Sequence, residues 1–168
     1  MAELWDIYDI NRNKTGRFCE RDVGPLKEGE YHLVVHGWVI NDKGEILLCQ
    51  RAPHKKHPLM WECSGGSVIA GENSIQGMIR ELEEEIGLIA NEKDAILLYT
   101  EARDDFHDIC DVWLFRYNVS IDNLKFNDGE VIDAKWVTKE EFDNMFKNGS
   151  IVETLDYFMK IYYSIKEM

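Results

Sequence analysis

Apolar positions follow two periodicities, and the switches between them divide the chain. Tyr31–Ile40, "YHLVVHGWVI", is nearly continuous in apolar and β-branched residues and predicts a strand. "NDKG" then reads as a turn, and Glu45–Arg51, "EILLCQR", as the antiparallel return. Nearer the start, "ELWDIYDINRNKTGR" predicts a short strand, a polar turn and the beginning of a second strand. "AILLYTEA", "DVWLFRYNV" and "DAKWVT" predict later strands, the first two separated by the acidic loop "RDDFHDIC". From about Asn73 the period lengthens. Ile75, Ile79, Leu82 and Ile86 recur at i, i+4, i+7 and i+11, one face of a helix, which Gly87 ends as the residue past its last turn. Glu140–Asn148 and Ile151–Lys166 predict two more helices. Gly65, Gly66 and Gly71 mark a loop ahead of the first helix, and "APHKKHPLMW" is an irregular basic loop after Arg51. Strands, helix, strands and then helices predict a single mixed α/β (α+β) domain over residues 1–168, with strands of an N-terminal extension in residues 1–30.

Composition narrows the function. The 168 residues are 45% hydrophobic, enough for an ordinary core. The net charge of −13 argues against a nucleic-acid surface, which needs clustered Lys and Arg, but leaves room for a small phosphorylated ligand if a cation compensates. No apolar run approaches the ~18 residues of a membrane span. The first ten residues carry Glu3, Asp6 and Asp9 and lack the apolar stretch of a signal peptide. Cys19, Cys49, Cys63 and Cys110 have neither zinc-site nor redox spacing, so reduced thiols in a cytoplasmic protein are expected.

The first helix carries the chemistry. Glu81, Glu83, Glu84 and Glu85 are four carboxylates within five residues. Glu81, Glu84 and Glu85 share one side, spread over about 100° and roughly 140° from the apolar stripe. Such a face is either simply solvated or a site for a hard cation, Mg²⁺ or Mn²⁺, that in turn binds phosphate.

The glycine loop decides between these readings. Gly66, Glu72, Arg80, Glu81, Leu82, Glu84, Glu85, Gly87 and Leu88 stand at the spacings of the Nudix signature, and the stretch 65–88 resembles it without a departure. The resemblance implies an α/β/α sandwich with a mixed central sheet that hydrolyses a nucleoside diphosphate derivative with Mg²⁺ or Mn²⁺. It implies that Glu81, Glu84 and Glu85 ligate the metal, with the Gly65 carbonyl as a further ligand. Arg80 would orient Glu81, and Glu72 would support the loop through Arg80. Nudix folds often pair, so a homodimer is expected.

A second likeness spans most of the chain. "EYHLVVHGWVINDKGEILLCQRAPHKKHPLMW" and "NDGEVIDAKWV" resemble the isopentenyl-diphosphate isomerase branch of the same superfamily. It implies that Arg51 and Lys55 grip a small-molecule diphosphate. His32 matches one metal-binding histidine of that branch, and Asp108 lies near one of its acidic residues. Its catalytic cysteine has no counterpart, because Cys63 falls early and Ser64–Gly66 takes the place. Hydrolysis is therefore the expected chemistry, with Cys63 and His32 structural. Isomerisation and non-catalytic sensing of a diphosphate metabolite are the alternatives. Glu130 in "GEVIDAKW" is a further candidate ligand or base, and Trp61 a candidate stacking surface.

Overall fold

The computed structural model describes residues 3–21, 23 and 26–166. The strands are β1 (Leu4–Tyr8), β2 (Lys14–Glu20), β3 (His32–Ile40), β4 (Ile46–Arg51), β5 (Trp61–Glu62), β6 (Ser64–Ser67), β7 (Ile96–Arg103), β8 (Asp108–Arg116) and β9 (Val131–Val137). The helices are α1 (Ser74–Ile86), α2 (Lys139–Lys147) and α3 (Phe158–Lys166). The architecture is mixed α/β: β1 and β2 form a hairpin, and seven strands form the central sheet in the order β5-β4-β3-β8-β7, with β6 on β3 and β9 on β4. No helix among the described residues is long and apolar enough to cross a membrane.

Contacts divide the chain into two compact units. The first comprises Met1–Gly37, Gly65–Glu83 and Ile89–Phe115. Its core holds Leu33, Val35, Val68, Met78, Leu82 and Val112. Met78 takes the place expected for Ile79, which is only half-buried. Gly37 explains the change, because a Cβ there would lie 2.5 Å from Met78 Cε. The notch admits the longer, more adaptable side chain. The β1–β2 hairpin is tied to this unit at several points. Leu4 O accepts from Ala70 N at 2.7 Å, and Asp6 Oδ2 accepts from Gly71 N at 2.9 Å and from Lys14 Nζ at 2.7 Å. From the hairpin turn, Arg12 reaches Asp111 on β8 with both terminal nitrogens, one at 2.6 Å. Asp111 is buried and also accepts from Thr100 Oγ1 at 2.7 Å.

The second unit comprises Trp38–Ser64, Glu84–Leu88 and Arg116–Met168. Strand β4 pairs antiparallel with β9, Ile46 facing Val137 and Cys49 facing Ala134, and with β5, Cys49 facing Glu62. Trp38 stacks on Phe158 with Phe142 edge-on, and its Nε1 donates to Tyr157 Oη at 3.0 Å. Helix α2 starts at a capping box in which Thr138 and Glu141 satisfy each other's backbone N–H.

Three expectations need correction. The single helix expected over 151–166 is broken: Ile151 bridges Trp61, Val152 N donates to Trp61 O at 3.0 Å, and Glu153–Leu155 makes a 3₁₀ turn before α3. Pairing the buried apolar residues Ile151 and Val152 to β5 outweighs one more helical turn. The acidic loop is shorter than expected, since Asp108 pairs with Arg103 and begins β8. Gly65 and Gly66, expected in a loop, lie in β6.

Candidate active site

Helix α1 begins with a reciprocal cap. Asn73 Oδ1 accepts from Gln76 N at 3.0 Å, and Gln76 Oε1 accepts from Asn73 N at 2.9 Å. It ends at Gly87, whose φ of +67° suits glycine, and Lys125 N caps the Ile86 carbonyl at 2.9 Å. Between these ends Arg80 acts as a fork. Its Nε donates to Glu72 Oε1 at 2.9 Å, its Nη1 to Glu81 Oε1 at 2.9 Å, and its Nη2 to the Ser67 carbonyl at 2.9 Å. One guanidinium thus fixes the carboxylate of Glu81 against the strand that precedes the helix. Gly66 completes the arrangement, for a Cβ there would stand 2.5 Å from Glu81 Oε1. Gly65 is equally confined, its Cβ position overlapping the Val35 carbonyl.

Glu85 is only 5% exposed and accepts a short hydrogen bond from Ser64 Oγ. The strand residue Ser64, itself buried, gives this carboxylate its polar surroundings. Glu83 and Glu84 are exposed. In donor chemistry the set suits a hard divalent cation: three helix carboxylates, one of them buried, and a cradle at Gly66 that only glycine leaves open. In the arrangement described, Glu81 is engaged by Arg80 and Glu85 by Ser64. Among the described residues no three His, Cys, Asp or Glu side chains stand grouped around one ion position.

The basic loop after β4 is a built structure. Arg51 Nη1 donates to Glu62 Oε1 at 2.5 Å, and its Nε donates to the Lys56 carbonyl at 2.5 Å. Lys55 Nζ is ion-paired with Glu130. The Glu130 carbonyl accepts from Ala52 N at 2.8 Å, so the loop and the approach to β9 are held together twice. Burial pushes the Glu62 carboxyl up, and Arg51 beside it acts in the opposite direction. Cys49, facing Glu62 across the ladder, is raised well above the usual thiol range by burial and then by the charges of Glu85, Glu62 and Asp128. It is therefore a poor nucleophile. Glu62 escaped the sequence reading. The pairing of β4 with the two-residue β5 sets it opposite Cys49 and within reach of Arg51.

The remaining candidates fall as follows. His32 stacks on Trp5 at 4.1 Å with the rings 9° apart, and its Nδ1 lies 3.1 Å from the His107 carbonyl. Burial holds its pKa below the ordinary value. Asp108 is buried and takes two 2.7 Å hydrogen bonds from Arg103. Cys63 is 3% exposed. Trp61 carries the Lys135 ammonium over its ring at 4.1 Å.

The chain is similar to known proteins. A NUDIX domain model matches residues 30–156. An uncharacterized Nudix hydrolase of Listeria monocytogenes is 34% identical over 155 residues, covering 89% of this chain and 88% of its own. The isopentenyl-diphosphate Delta-isomerase of Shigella boydii is 31% identical over 115 residues, covering 62% of this chain and 60% of its own. Among solved structures, DR0079 of Deinococcus radiodurans superposes with a TM-score of 0.75 over 96% of this chain and 98% of its own, at 18% identity.

Proposed function

The chain belongs to the Nudix hydrolase family, and from that premise we propose that it cleaves the phosphoanhydride bond of a nucleoside diphosphate derivative or related diphosphate metabolite with Mg²⁺ or Mn²⁺. Members of the family are hydrolases of diphosphate-containing small molecules and generally use divalent metals. The observation that carries the reading is the Arg80 fork, which fixes Glu81 between Glu72, the Ser67 carbonyl and the glycine at position 66.

In this reading Glu81, Glu84, Glu85 and the Gly65 carbonyl hold the metal. A bound divalent ion there would neutralise the diphosphate and lower the pKa of an attacking water. Arg80 and Glu72 keep the Glu81 carboxylate in place, and Ser64 orients that of Glu85. Arg51 and Lys55 grip diphosphate oxygens, the guanidinium in a two-pronged fashion and the ammonium as a point charge. Glu130, two positions beyond Asp128 and next to Lys55, supplies a further ligand or accepts the proton of the water. Asp108 and His32 act as structural polar groups, each already engaged by Arg103 or His107.

Cys63 supports hydrolysis over isomerisation. Double-bond migration needs an acid and a base flanking an apolar chain. Here Cys63 is buried and Ser64–Ser67 is a strand. A screen of nucleoside diphosphate sugars, dinucleotides, nucleoside triphosphates and isoprenoid diphosphates, with Mg²⁺ and with Mn²⁺, tests the reading. Hydrolysis in ¹⁸O-water should label a released phosphate. Formation of deuterated dimethylallyl diphosphate from isopentenyl diphosphate in deuterated water would overturn it. The free thiols Cys49, Cys63 and Cys110, all buried, fit a cytoplasmic setting. Sedimentation of the purified protein tests the expected homodimer.

A further inference from the structure

The ion pairs at the basic loop pose a problem for the cations in them. Arg51 and Lys55 are proposed to hold a diphosphate, yet each meets a glutamate, and the Arg51–Glu62 pair is largely withdrawn from solvent, at 16% and 19% side-chain exposure. Two further bonds fix Arg51: its backbone N donates to the Met60 carbonyl at 3.0 Å, and its carbonyl accepts from Leu59 N at 3.1 Å. With Nε on the Lys56 carbonyl, the guanidinium cannot swing far without opening the loop. Glu62 feels the charges of Arg51, Lys55 and Glu130 together, so the four groups form one cluster rather than two separate pairs.

We propose that Glu62 and Glu130 are competitor carboxylates which occupy Arg51 and Lys55 and must yield them to the substrate's diphosphate, with Glu62 also positioning Arg51. The inference rests on the reading of Arg51 and Lys55 as the diphosphate grip. Its logic is electrostatic. A carboxylate and a diphosphate oxygen are both anionic acceptors that suit the guanidinium fork, so they exclude one another on Nη1. When the diphosphate wins, a shielded Glu62 is left facing another anion, which is costly unless a cation arrives with the substrate. The pairs therefore weaken the binding of a bare diphosphate and favour one that carries a metal ion. In a chain of charge −13 they also hide the two cations most useful to anions at large.

Calorimetric titration with inorganic pyrophosphate in EDTA, and again with Mg²⁺, tests this. Glu62→Gln keeps the side-chain size and removes the competing charge, and should tighten metal-free pyrophosphate binding by about tenfold, with a smaller gain in Mg²⁺. Glu130→Gln alters a more exposed partner and should give a gain in the same direction, which keeps the test readable if Glu62→Gln proves unstable. A Glu62→Gln protein with raised metal-free affinity but a lowered kcat on the hydrolysed substrate supports the positioning role as well. No gain in either folded variant overturns the proposal. Arg51→Ala separates the two levels. If it leaves KM unchanged, the diphosphate grip itself is wrong. If KM rises while the glutamine variants gain nothing, only the competition is wrong.

Discussion

Arg80 and Arg51 both end on a glutamate, but they are held in different ways. Arg80 donates to two carboxylates and a backbone carbonyl, all between the end of β6 and the first turns of α1. Its role is to keep Glu81 still. Arg51 gives one nitrogen to Glu62 and another to a loop carbonyl contributed from beyond β4. In the competition proposed above, it would exchange that glutamate for the diphosphate. The difference teaches that an arginine–glutamate pair is suited to be a strut where every donor has a fixed partner, and, on the proposal above, to be an exchangeable contact where the competing ligand has the same chemistry.

The largest test of this contrast is at the carboxylate that the strut serves least directly. Glu85→Gln should abolish turnover, a loss exceeding about 100-fold, since even residues that only orient a metal ligand commonly cost 10–100-fold. Steady-state rates at saturating Mg²⁺ check it, with circular dichroism to show that the fold survives exchange of the buried carboxylate. Next is Arg80 itself. Arg80→Ala should lower kcat by about 10–100-fold and cost about 1–3 kcal/mol of stability, because Glu72, Glu81 and the Ser67 carbonyl all lose a donor. Lysine should not restore it, since an ammonium cannot reproduce the fork. A full rescue by Arg80→Lys would erase the distinction drawn between the two arginines.

Arg51→Ala should act on binding more than on folding, raising KM roughly tenfold, at the low end of what one charged hydrogen bond is worth. A fall in kcat with KM unchanged would make Arg51 a strut like Arg80. The smallest effect concerns a third arginine pair, Arg12 with Asp111. Burial raises the Asp111 carboxyl, but hydrogen bonds from Arg12, Ser74 and Thr100 outweigh it and leave its pKa below the ordinary 3.8. A group depressed in the folded state stabilises above its unfolded pKa and loses that contribution as pH falls through the folded value. The melting temperature should therefore hold at neutral pH and drop below pH ~4. Thr100→Val should cost about 1 kcal/mol at neutral pH and narrow that acid window, both readable by thermal denaturation.

These arginines also show what a sequence discloses. Two arms of the Arg80 fork, to Glu81 and Glu72, were expected from the resemblance of 65–88 to the Nudix signature, whereas its bond to the Ser67 carbonyl was not. The helix and strands β3, β4, β7, β8 and β9 were legible from local pattern, whereas β5 and β6 were not. The Arg12–Asp111 pair was not, because it joins residues 99 apart and nothing in either stretch names the other. Glu62 was missed because β5 is two residues long, too short to register as a strand by alternation. Met78 displaced Ile79 from the core because of a glycine on another element, and Glu85 is buried because Ser64 offers it a hydroxyl. Each of these is decided by a neighbour distant in the chain.

The family match opens at residue 30, but the compact unit that holds the signature's loop does not. The β1–β2 hairpin lies upstream of that border, yet it lends a carboxylate to the Gly71 amide, a carbonyl to Ala70 and a guanidinium to Asp111. A chain cut at the start of the domain match would keep the whole signature and still strand a buried aspartate and untie the turn that leads into α1. The stretch matched by the domain model and the stretch tied together by these bonds are, in this protein, two different lengths of chain.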